Sequence, residues 1–310
     1  MKVLVAGGTG LAGSAITRAY RAQGAEVTIV NRSTLNLLDF EATKNFLLNL
    51  KPSLVVDAAA KVGGIAANNS KPVAFLRENL QIQSNLMSAA FFAEVEKFVF
   101  LGSSCVYPRD CNQPIKEESL MGGPLEPTNS AYAVAKIAGI EMINSYRKEH
   151  GLNWISLMPT NLYGPGDNFN LAESHAFPAL IRRFVEAKKS GAKEITLWGT
   201  GAPLREFLHV DDLSSAVVMA SNKYSEQLHL NVGTGQELSI KMLAELIAKK
   251  SGFEGEIKWD STKPDGTPRK VLDVSRITAM GWQPTITLEQ GIESTLKWFE
   301  EAVSRGEVRL

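Results

Sequence analysis

Tyr132 and Lys136 stand four residues apart in the segment AYAVAK, so on a helix they lie on the same face. A phenol has a pKa of about 10 and is a poor acid or base at neutral pH, but a neighbouring ammonium favours the phenolate and lowers that pKa. A hydroxyl such as that of Ser103 can share the oxygen of a substrate. The pair therefore indicates proton transfer at a carbonyl or alcohol oxygen, although this spacing also occurs on helices by chance.

A second candidate is Cys105, which lies between two serines and a tyrosine in LGSSCVYP. A cysteine in an apolar loop is most often a small buried hydrophobe, whereas a thiol of pKa about 8.5 can also move a proton. An imidazole of pKa about 6.5 would be a suitable partner, and the segment ESHAFP supplies His175. The residues alone leave both interpretations open. The other cysteine, Cys111, matches no motif and is expected to be structural.

A glycine-rich segment, GGTGLAG, covers residues 7–13 and contains the overlapping patterns G-x-G-x-x-G and G-x-x-G-x-x-G. Glycines let the backbone turn tightly and approach a pyrophosphate, while the N-terminus of the following helix faces the anion. The segment follows the first apolar run and opens a helical pattern. In that context it predicts a dinucleotide site rather than an ordinary strand–helix turn.

The end of the second predicted strand indicates which dinucleotide binds. An NAD site usually carries an acidic residue there, which accepts a hydrogen bond from the ribose 2′-hydroxyl. This chain has Asn31, Arg32 and Ser33 instead. A guanidinium makes paired, charge-assisted bonds to a 2′-phosphate, so Arg32 favours NADP(H) over NAD, unless it is a solvated surface arginine.

The elements that must position these residues alternate along the first half of the chain. Apolar, β-prone runs cover residues 2–6, 26–30, 54–57, 97–101 and 153–158. Helical patterns between and after them cover residues 11–23, 40–50, 72–93 and 128–150. Apolar strands joined by helices predict an α/β fold with a doubly wound parallel sheet of the Rossmann type.

After Pro159 the regular alternation stops and shorter elements follow, such as a strand at 194–198. A helix is expected near Asp211 and Asp212, with His209 fixing the preceding loop and an aspartate as the cap. We therefore expect an NADP-binding domain over residues 1–160, a smaller α/β substrate lobe over residues 161–310, and a cleft between them. Some segments of the second half are expected to return to the first domain.

The composition excludes several classes of function. The 310 residues include 33 Lys plus Arg and 33 Asp plus Glu, so there is no global basic surface to attract nucleic acid. No apolar run is long enough to span a bilayer, and the N-terminal run is too short for a signal peptide, so no membrane partner is expected. The two cysteines form neither a disulfide framework nor a metal-binding array, which favours a reducing, cytoplasmic location and no metal.

The glycine segment, GSS at 102–104 and YAVAK together resemble the motifs of the extended short-chain dehydrogenase/reductase family. The resemblance spans essentially the whole chain. It implies a nucleotide-sugar substrate, with Ser103, Tyr132 and Lys136 as the catalytic trio. It also implies a homodimer, formed through a helical bundle to which the Tyr132 helix contributes.

Several further stretches narrow the resemblance within that family. They are AAAKVGGIAANN (58–69), GSSCVYP (102–108), EPTNSAYAVAKIAG (126–139), MPTNLYGPGDNF (158–169), REFLHVDD (205–212) and KPDGTPRK (263–270). In this order they are similar to the NADPH-dependent enzymes that epimerise GDP-4-keto-6-deoxy-D-mannose at C3 and C5 and reduce its C4 ketone. One departure is Gly8–Thr9, where some members carry an arginine, so the preference for NADP(H) depends more on Arg32.

This narrower resemblance implies a chemical task for the cysteine. Protons on C3 and C5 are both α to the C4 ketone and therefore acidic, so each centre inverts when one group removes a proton and another delivers one to the opposite face. The resemblance places Cys105 and His175 in these roles, while Ser103 and Tyr132 stabilise the charge that develops on the C4 oxygen. Tyr132 would then protonate that oxygen during reduction, and Lys136 would also hold the nicotinamide ribose.

The resemblance also implies where the ligands lie. For NADP(H), the implied contacts are Gly7, Gly8, Thr9, Gly10, Leu11, Ala12, Gly13, Arg32, Leu101, Gly102, Ser104, Lys136, Pro159, Thr160, Asn161, Leu162 and His175. For the GDP moiety, they are Arg183, Trp198, Arg205, Lys263 and Asp265. The arginines suit the diphosphate, the indole offers a flat face to the base or ribose, and the aspartate can accept from hydroxyls or the base.

Other functions of the same fold stay open as alternatives. A nucleotide-sugar 4,6-dehydratase is expected to carry an acidic residue in the loop that Ser104 and Cys105 occupy, and none is there. A nucleotide-sugar 4-epimerase has no need of a cysteine–histidine pair and normally keeps NAD tightly bound. A non-enzymatic dinucleotide sensor could lose Tyr132 or Lys136 without penalty, yet both are present.

Overall fold

The computed structural model describes residues 1–263 and 265–308. Its strands are β1 (Lys2–Ala6), β2 (Glu26–Val30), β3 (Leu54–Asp57), β4 (Lys97–Leu101), β5 (Ile155–Pro159), β6 (Asn161–Tyr163), β7 (Glu194–Trp198), β8 (Leu204–Arg205), β9 (Phe207–His209), β10 (Leu230–Val232), β11 (Leu238–Ser239), β12 (Glu256–Asp260) and β13 (Arg269–Lys270). Its α-helices are α1 (Leu11–Ala22), α2 (Phe40–Leu50), α3 (Ile65–Ser70), α4 (Pro72–Phe92), α5 (Ser130–His150), α6 (Ala176–Ser190), α7 (Val210–Lys223), α8 (Ile240–Ser251), α9 (Ser275–Ala279) and α10 (Leu288–Arg305). Within these ranges, no helix combines the length and apolar character needed to cross a membrane.

The central sheet is parallel throughout, in the order β10-β5-β4-β3-β1-β2. Its strands are apolar on both faces because helices cover both. Leu4, Val55 and Phe100 pack on the side of α2, α4 and α5, whereas Val3 and Val99 pack on the side of α1 and α7. The predicted doubly wound, Rossmann-type sheet is therefore confirmed. Because every strand points the same way, their carboxyl ends meet at one edge, where sites of this fold are built.

The second lobe contains small sheets, β7 with β12, β6 with β9, and β8 between β11 and β13. Helices α6, α8 and α10 enclose its core, which is rich in phenylalanine. Phe169 lies 4.5 Å from Phe299 and Phe184 lies 5.5 Å from Phe253, measured between ring centroids. This core is separate from the two apolar clusters that pack on the faces of the central sheet.

Parts of the second half of the chain pack on the central sheet. Strand β10 pairs with β5, so that Leu230 lies opposite Leu157. Helix α7 covers the same face as α1, and the Tyr20 hydroxyl donates a hydrogen bond of 2.8 Å to Ser221 Oγ. The chain therefore passes between the sheet and the second lobe more than once, which ties the two sides of the cleft together.

Several local details differ from the sequence-based expectations. The strand predicted at residues 153–158 runs from Ile155 to Pro159. The helix predicted to begin at residue 128 begins at Ser130, because residues 127–129 first form a one-turn 3-10 helix. The cap of α7 is His209, not an aspartate, since its Nδ1 accepts a hydrogen bond of 3.2 Å from the backbone N–H of Asp211. Asp212 instead accepts from the backbone N–H groups of Thr285 and Ile286, at 2.9 and 3.0 Å. It thus anchors the segment that leads into α10.

A buried asparagine, Asn231 in β10, locks the edge of the sheet to the loops around it. Its side chain donates to the carbonyls of Ile115 (2.9 Å) and Asp273 (3.1 Å). Its Oδ1 accepts from the Tyr107 hydroxyl at 2.5 Å, and its backbone N–H donates to Glu117 Oε1 at 3.0 Å. Tyr107 is two residues from Cys105, so this network supports the loop that carries the thiol.

Replacing Asn231 by leucine should lower the free energy of unfolding by about 3 kcal/mol or more, because several buried groups lose their partner at roughly 1–3 kcal/mol each. Urea denaturation followed by circular dichroism measures the change. The control is Asn153→Leu, which removes an exposed acceptor of Lys97 and should change stability by no more than about 0.5 kcal/mol. Equal losses in the two variants would contradict a stabilising role for the network.

Candidate active site

The predicted site residues come together at the carboxyl edge of the parallel sheet. The glycine segment follows β1, the loop with Ser103 and Cys105 follows β4, and Thr160 follows β5. Tyr132 and Lys136 lie in the first turns of α5. Open sheets of this kind place their ligands in the crevice at this edge, so the topology explains why residues far apart in sequence meet.

The glycine turn leaves room for a ligand but not for side chains. Gly7 adopts a positive φ of 73°, and its N–H donates to Val30 O at 2.8 Å. A Cβ on Gly13 would lie 2.2 Å from Gly7 O, so α1 can approach the turn this closely only with glycine there. Gly10 caps α1 without a side-chain hydrogen bond, which leaves backbone N–H groups at the helix N-terminus. This cradle fits the pyrophosphate of a dinucleotide.

Arg32 lies just beyond β2, near the glycine turn, with 77% of its side chain exposed. It forms an ion pair with Glu78 at 3.2 Å, and the other oxygen of the same carboxylate lies 3.2 Å from Lys61 Nζ. Two cations therefore share one carboxylate beside the expected position of the adenosine ribose. Because a guanidinium has five N–H donors, Arg32 keeps donors for a phosphate while it holds Glu78.

The loop after β4 holds the thiol in a fixed position. A single turn of 3-10 helix covers Ser104–Val106, and Ser103 Oγ accepts the backbone N–H of Cys105 at 3.2 Å. Ser104, the first residue of this turn, is almost fully buried. Ser103 therefore fixes the backbone of the cysteine and contributes its own hydroxyl to the site.

Polar and charged side chains surround the sulfur of Cys105. Lys270 Nζ lies 3.5 Å and Asn129 Nδ2 lies 3.4 Å from Sγ. Burial on its own would raise the pKa of the thiol, but the Lys270 ammonium, the hydrogen bond from Ser103 and the charge of Arg205 together lower that pKa below its ordinary value. The thiolate is therefore more accessible here than in an apolar loop, and Cys105 is not merely a space-filling residue.

Tyr132 differs from the sequence-based expectation. Desolvation raises its pKa above the ordinary value, the charges of Cys105 and Asp57 raise it further, and only Ser103 lowers it. Lys136 does not lower it as predicted, because its ammonium donates to the carbonyl of Leu101 at 2.8 Å. Tyr132 is therefore a neutral phenol, a form that suits a proton donor.

His175 immediately precedes α6, on the side of the cleft that belongs to the second lobe. Its residue surface is exposed, and desolvation together with the charge of Lys270 lowers its pKa. Lys270 thus acts on both His175 and Cys105. The imidazole is neutral near pH 7, so it can accept a proton.

The residues predicted for the nucleotide lie farther along the same cleft. Trp198, at the end of β7, is 61% exposed, and Lys263 Nζ lies 5.9 Å from the centroid of its ring. Asp265 accepts hydrogen bonds from the backbone N–H and the hydroxyl of Thr200, both at 2.7 Å. The structure therefore brings Trp198, Lys263 and Asp265 together around one exposed aromatic face.

The two arginines that were predicted to bind the diphosphate, Arg205 and Arg183, have different neighbours. Arg205 lies among Cys105, Asp265 and Glu126, and burial lowers its pKa more than these acidic groups raise it. It thus lies between the thiol and the nucleotide residues. Arg183 donates to the carbonyl of Thr196 at 3.1 Å, within the strand that ends at Trp198.

Lys270, Asn129 and Glu206 were not singled out from the sequence. Lys270 and Asn129 lie inside quoted motifs, KPDGTPRK and EPTNSAYAVAKIAG, but a motif does not indicate which side chain touches the sulfur. Glu206 lies in REFLHVDD and is completely buried. Its carboxylate accepts the backbone N–H groups of Thr234 (2.5 Å), Gly235 (2.7 Å) and Leu272 (2.9 Å).

Glu206 also connects to the sheet through its backbone. Its carbonyl accepts from Asn161 Nδ2 at 2.8 Å and from Thr160 Oγ1 at 3.3 Å. Both residues follow β5, where the nicotinamide end of a dinucleotide is expected. Glu206, the residue next to Arg205, therefore links the expected cofactor side of the cleft with the segment that follows Lys270.

Comparisons with known proteins agree with this geometry. The sequence profile of the NAD dependent epimerase/dehydratase family matches residues 3–233. A rice protein named probable GDP-L-fucose synthase 1 is 54% identical over 97% of this chain and 93% of its own length. The GDP-L-fucose synthase of Escherichia coli K12 is 47% identical over 98% of both chains. The crystal structure of a GDP-L-fucose synthetase from Naegleria fowleri bound to NADP superposes with a TM-score of 0.90 at 28% identity, covering 100% of this chain and 96% of that one.

Replacing Lys270 by methionine should raise the pKa of the Cys105 thiol, because the neighbouring ammonium is lost and burial remains. At neutral pH the variant should react with iodoacetamide about tenfold more slowly, and its rate should rise with pH over a more alkaline range. The measurement uses a Cys111→Ser background so that one thiol is followed. Lys249→Met, an exposed lysine on α8, is the control and should leave the rate unchanged. If the reaction rate of the Lys270 variant depended on pH as that of the wild-type protein does, an interaction between Lys270 and the Cys105 thiolate would be contradicted.

Proposed function

The chain belongs to the NAD dependent epimerase/dehydratase family, and we propose that it acts as a GDP-L-fucose synthase. It epimerises GDP-4-keto-6-deoxy-D-mannose at C3 and C5 and reduces C4 with NADPH to give GDP-L-fucose. The relatives from rice and E. coli support this assignment by name over nearly the whole chain. The observation that carries it is the Cys105 thiol, held beside Lys270 and Asn129 next to the Ser103–Tyr132 pair. A plain 4-reductase or 4-epimerase has no use for this second proton-transfer group.

The cofactor site that we propose is the crevice lined by the glycine turn, Arg32, Lys136 and Asn161. When bound, NADPH supplies the hydride that reduces C4. The backbone N–H groups at the start of α1 hold the pyrophosphate, and Arg32 holds the 2′-phosphate through charge-assisted bonds. The remaining contacts that the sequence resemblance implied, from Leu101 to Leu162 and His175, belong to this proposal.

For epimerisation, we propose that Cys105 and His175 work as a pair that carries one transferable proton. One member breaks the C–H bond and takes the proton, the electron pair moves to the C4 oxygen as an enolate, and the other member delivers a proton to the opposite face of the same carbon. The pKa values of both groups lie below their ordinary values, which favours proton removal near neutral pH. A thiol in this role must stay reduced, so we place the protein in the cytoplasm.

For reduction, Ser103 and Tyr132 hold the C4 oxygen. Hydrogen bonds from both hydroxyls stabilise the enolate during epimerisation and the alkoxide during reduction. The raised pKa of Tyr132 keeps the phenol protonated until negative charge appears on that oxygen, and it then donates its proton. The same pair therefore serves both reactions, and the sugar does not have to move between them.

The GDP moiety is proposed to lie along the second lobe. Trp198 offers an exposed ring for stacking, with Lys263 beside it. Asp265 accepts from a hydroxyl or from the base, and Arg183 and Arg205 bind the diphosphate. Arg205 lies nearest the thiol, so its diphosphate contact would fix the distance between the nucleotide and the sugar ring.

We also propose a homodimer formed through the outer face of α4 and α5. These two helices pack against each other, and a groove between them is lined by Ser88, Phe91 and Met142. Val134 on α5 is 46% exposed. A second copy would cover this apolar surface with its own α4 and α5, since a two-fold interface uses the same patch on both subunits.

Light scattering should give twice the chain mass of 33.7 kDa for the wild-type protein. Val134→Glu should shift the equilibrium toward monomer, because it buries a charge in an apolar interface. Met242→Glu introduces the same charge at a position that is 59% exposed on α8 and should leave the dimer intact. A monomeric wild-type protein, or a dimer that tolerates Val134→Glu, would contradict the interface.

The proposed reaction is tested by one incubation in deuterated water with GDP-4-keto-6-deoxy-D-mannose and NADPH, followed by NMR. The wild-type protein should give GDP-L-fucose with deuterium at C3 and C5. Cys105→Ser should slow deuterium uptake by about 100-fold or more without weakening NADPH binding, whereas Tyr132→Phe should lose NADPH oxidation.

The matched control for this experiment is Cys111→Ser, which removes the other thiol and should retain both activities. If NADPH is consumed but the product keeps the manno configuration without deuterium, the protein is a plain 4-reductase. Deuterium uptake at the wild-type rate in Cys105→Ser would contradict only the proton-transfer role of the Cys105 thiol.

A further inference from the structure

Asp57 is a buried carboxyl group that the proposed reaction does not use. It is the last residue of β3, it pairs in register with Phe100 of β4, and only 1% of it is exposed. Its Oδ1 accepts the backbone N–H of Ala59 at 3.1 Å. Its Oδ2 is buried and has no hydrogen-bond partner among residues 1–263 and 265–308. A buried carboxylate with an unpaired oxygen is unfavourable unless a cation compensates for it.

The compensating cation is Lys136. It is 3% exposed, its Nζ donates to Leu101 O at 2.8 Å, and it lies 4.6 Å from the centroid of the Phe100 ring. Both contacts belong to β4, and Phe100 is the strand partner of Asp57. Lys136 therefore reaches the strand next to Asp57 at the same edge of the sheet, although in the described part of the chain no direct hydrogen bond or ion pair joins the two side chains.

Each group changes the ionisation of the other. Desolvation raises the pKa of Asp57 to about 6, and the Lys136 charge opposes that rise. Desolvation lowers the pKa of Lys136 to about 8, and the Asp57 charge opposes that fall. The other titratable groups facing this pair are Tyr132, whose pKa Asp57 raises, and Cys105, which acts on Tyr132. Near pH 7 the two groups therefore carry opposite charges, and each titrates within about one unit of that pH.

We propose that Asp57 is the counter-ion that keeps Lys136 protonated, and that it thereby determines the pH range in which Lys136 carries its positive charge in the cofactor crevice. This inference rests on the proposed function, because that function places Lys136 among the residues that line the crevice. In this proposal Asp57 acts through Lys136, so it is a positioning residue and not a catalytic one.

The substitution that isolates the charge is Asp57→Asn. The amide has the same shape and its oxygen can accept from Ala59, so a purely structural role would survive. Loss of the carboxylate should lower the pKa of Lys136 by at least about one unit, since an opposite charge at close range typically shifts a pKa by roughly 1–3 units. Asp212→Asn is the control, because it removes another buried carboxylate that anchors Thr285 and Ile286.

The first measurement needs no substrate. In protein labelled with ¹³C at lysine Cε, the Lys136 signal is assigned by its absence in Lys136→Met and followed by NMR as a function of pH. The midpoint should lie near pH 8 in the wild-type protein and in Asp212→Asn, and at least about one unit lower in Asp57→Asn. An identical midpoint in Asp57→Asn would overturn the proposal.

The second measurement follows kcat for NADPH oxidation with GDP-4-keto-6-deoxy-D-mannose against pH. The alkaline limit of activity should move to lower pH in Asp57→Asn, in parallel with the NMR midpoint, and stay in place in Asp212→Asn. If the NMR midpoint moves and the kcat profile does not, Asp57 does not act on catalysis. If the wild-type protein itself does not oxidise NADPH, the proposed function fails. The NMR titration still reports whether the Asp57 charge raises the pKa of Lys136.

A third measurement covers the case in which Asp57→Asn does not fold. The carboxyl signal of ¹³C-labelled Asp57 is titrated in wild-type protein and in Lys136→Met. Coupling is reciprocal, so loss of the ammonium should raise the pKa of Asp57 above about 6. An unchanged titration of Asp57 would overturn the proposal.

Discussion

The active site depends on one fully buried carboxylate, that of Glu206. Three backbone N–H groups, from Thr234, Gly235 and Leu272, converge on it, and a Cβ on Gly233 would lie 2.2 Å from its Oε1. Burial raises the pKa of Glu206, and these hydrogen bonds lower it, so they are what makes a charged group tolerable there. Glu206 adjoins Arg205 in sequence, and Leu272 lies two residues after Lys270. The carboxylate thus fixes the cations of the second lobe against the loops of the sheet.

In the same cleft, the pKa values of two acidic side chains shift in opposite directions. Burial raises the pKa of both Cys105 and Tyr132. Only the thiol has Lys270 and Arg205 beside it, so its pKa falls below the ordinary value while that of the phenol stays high. One group is thereby prepared to lose a proton and the other to give one, which is how neighbouring residues acquire different tasks at a single pH. The positions of the neighbouring cations, more than the types of the acidic residues, determine which side chain loses its proton more readily.

Much of the fold was predictable, because strand and helix periods and the glycine pattern are local signals. The parallel sheet and the glycine turn at its edge follow from runs of a few residues each. Lys270 could not be assigned to Cys105, since 165 positions separate them and the contact depends on how the second lobe folds. The ionisation of Tyr132 was predicted wrongly for a similar reason. Spacing places Lys136 on the same helix face, but it does not show that the ammonium turns toward Leu101 or how strongly burial acts. His209 as a helix cap was missed because an imidazole accepts there only when neutral.

The position of Ser103 determines which activities would be lost if Cys105 were oxidised. Its hydroxyl accepts the backbone N–H of Cys105 and interacts with Tyr132, so the groups that we propose for epimerisation and for reduction lie close together. An oxidised sulfur at Cys105 would add oxygen atoms there, beside the proposed position of the C4 oxygen. Reduction would then be blocked together with epimerisation. Oxidative damage would therefore abolish the activity of the enzyme. It would not lead to release of a sugar with the wrong configuration.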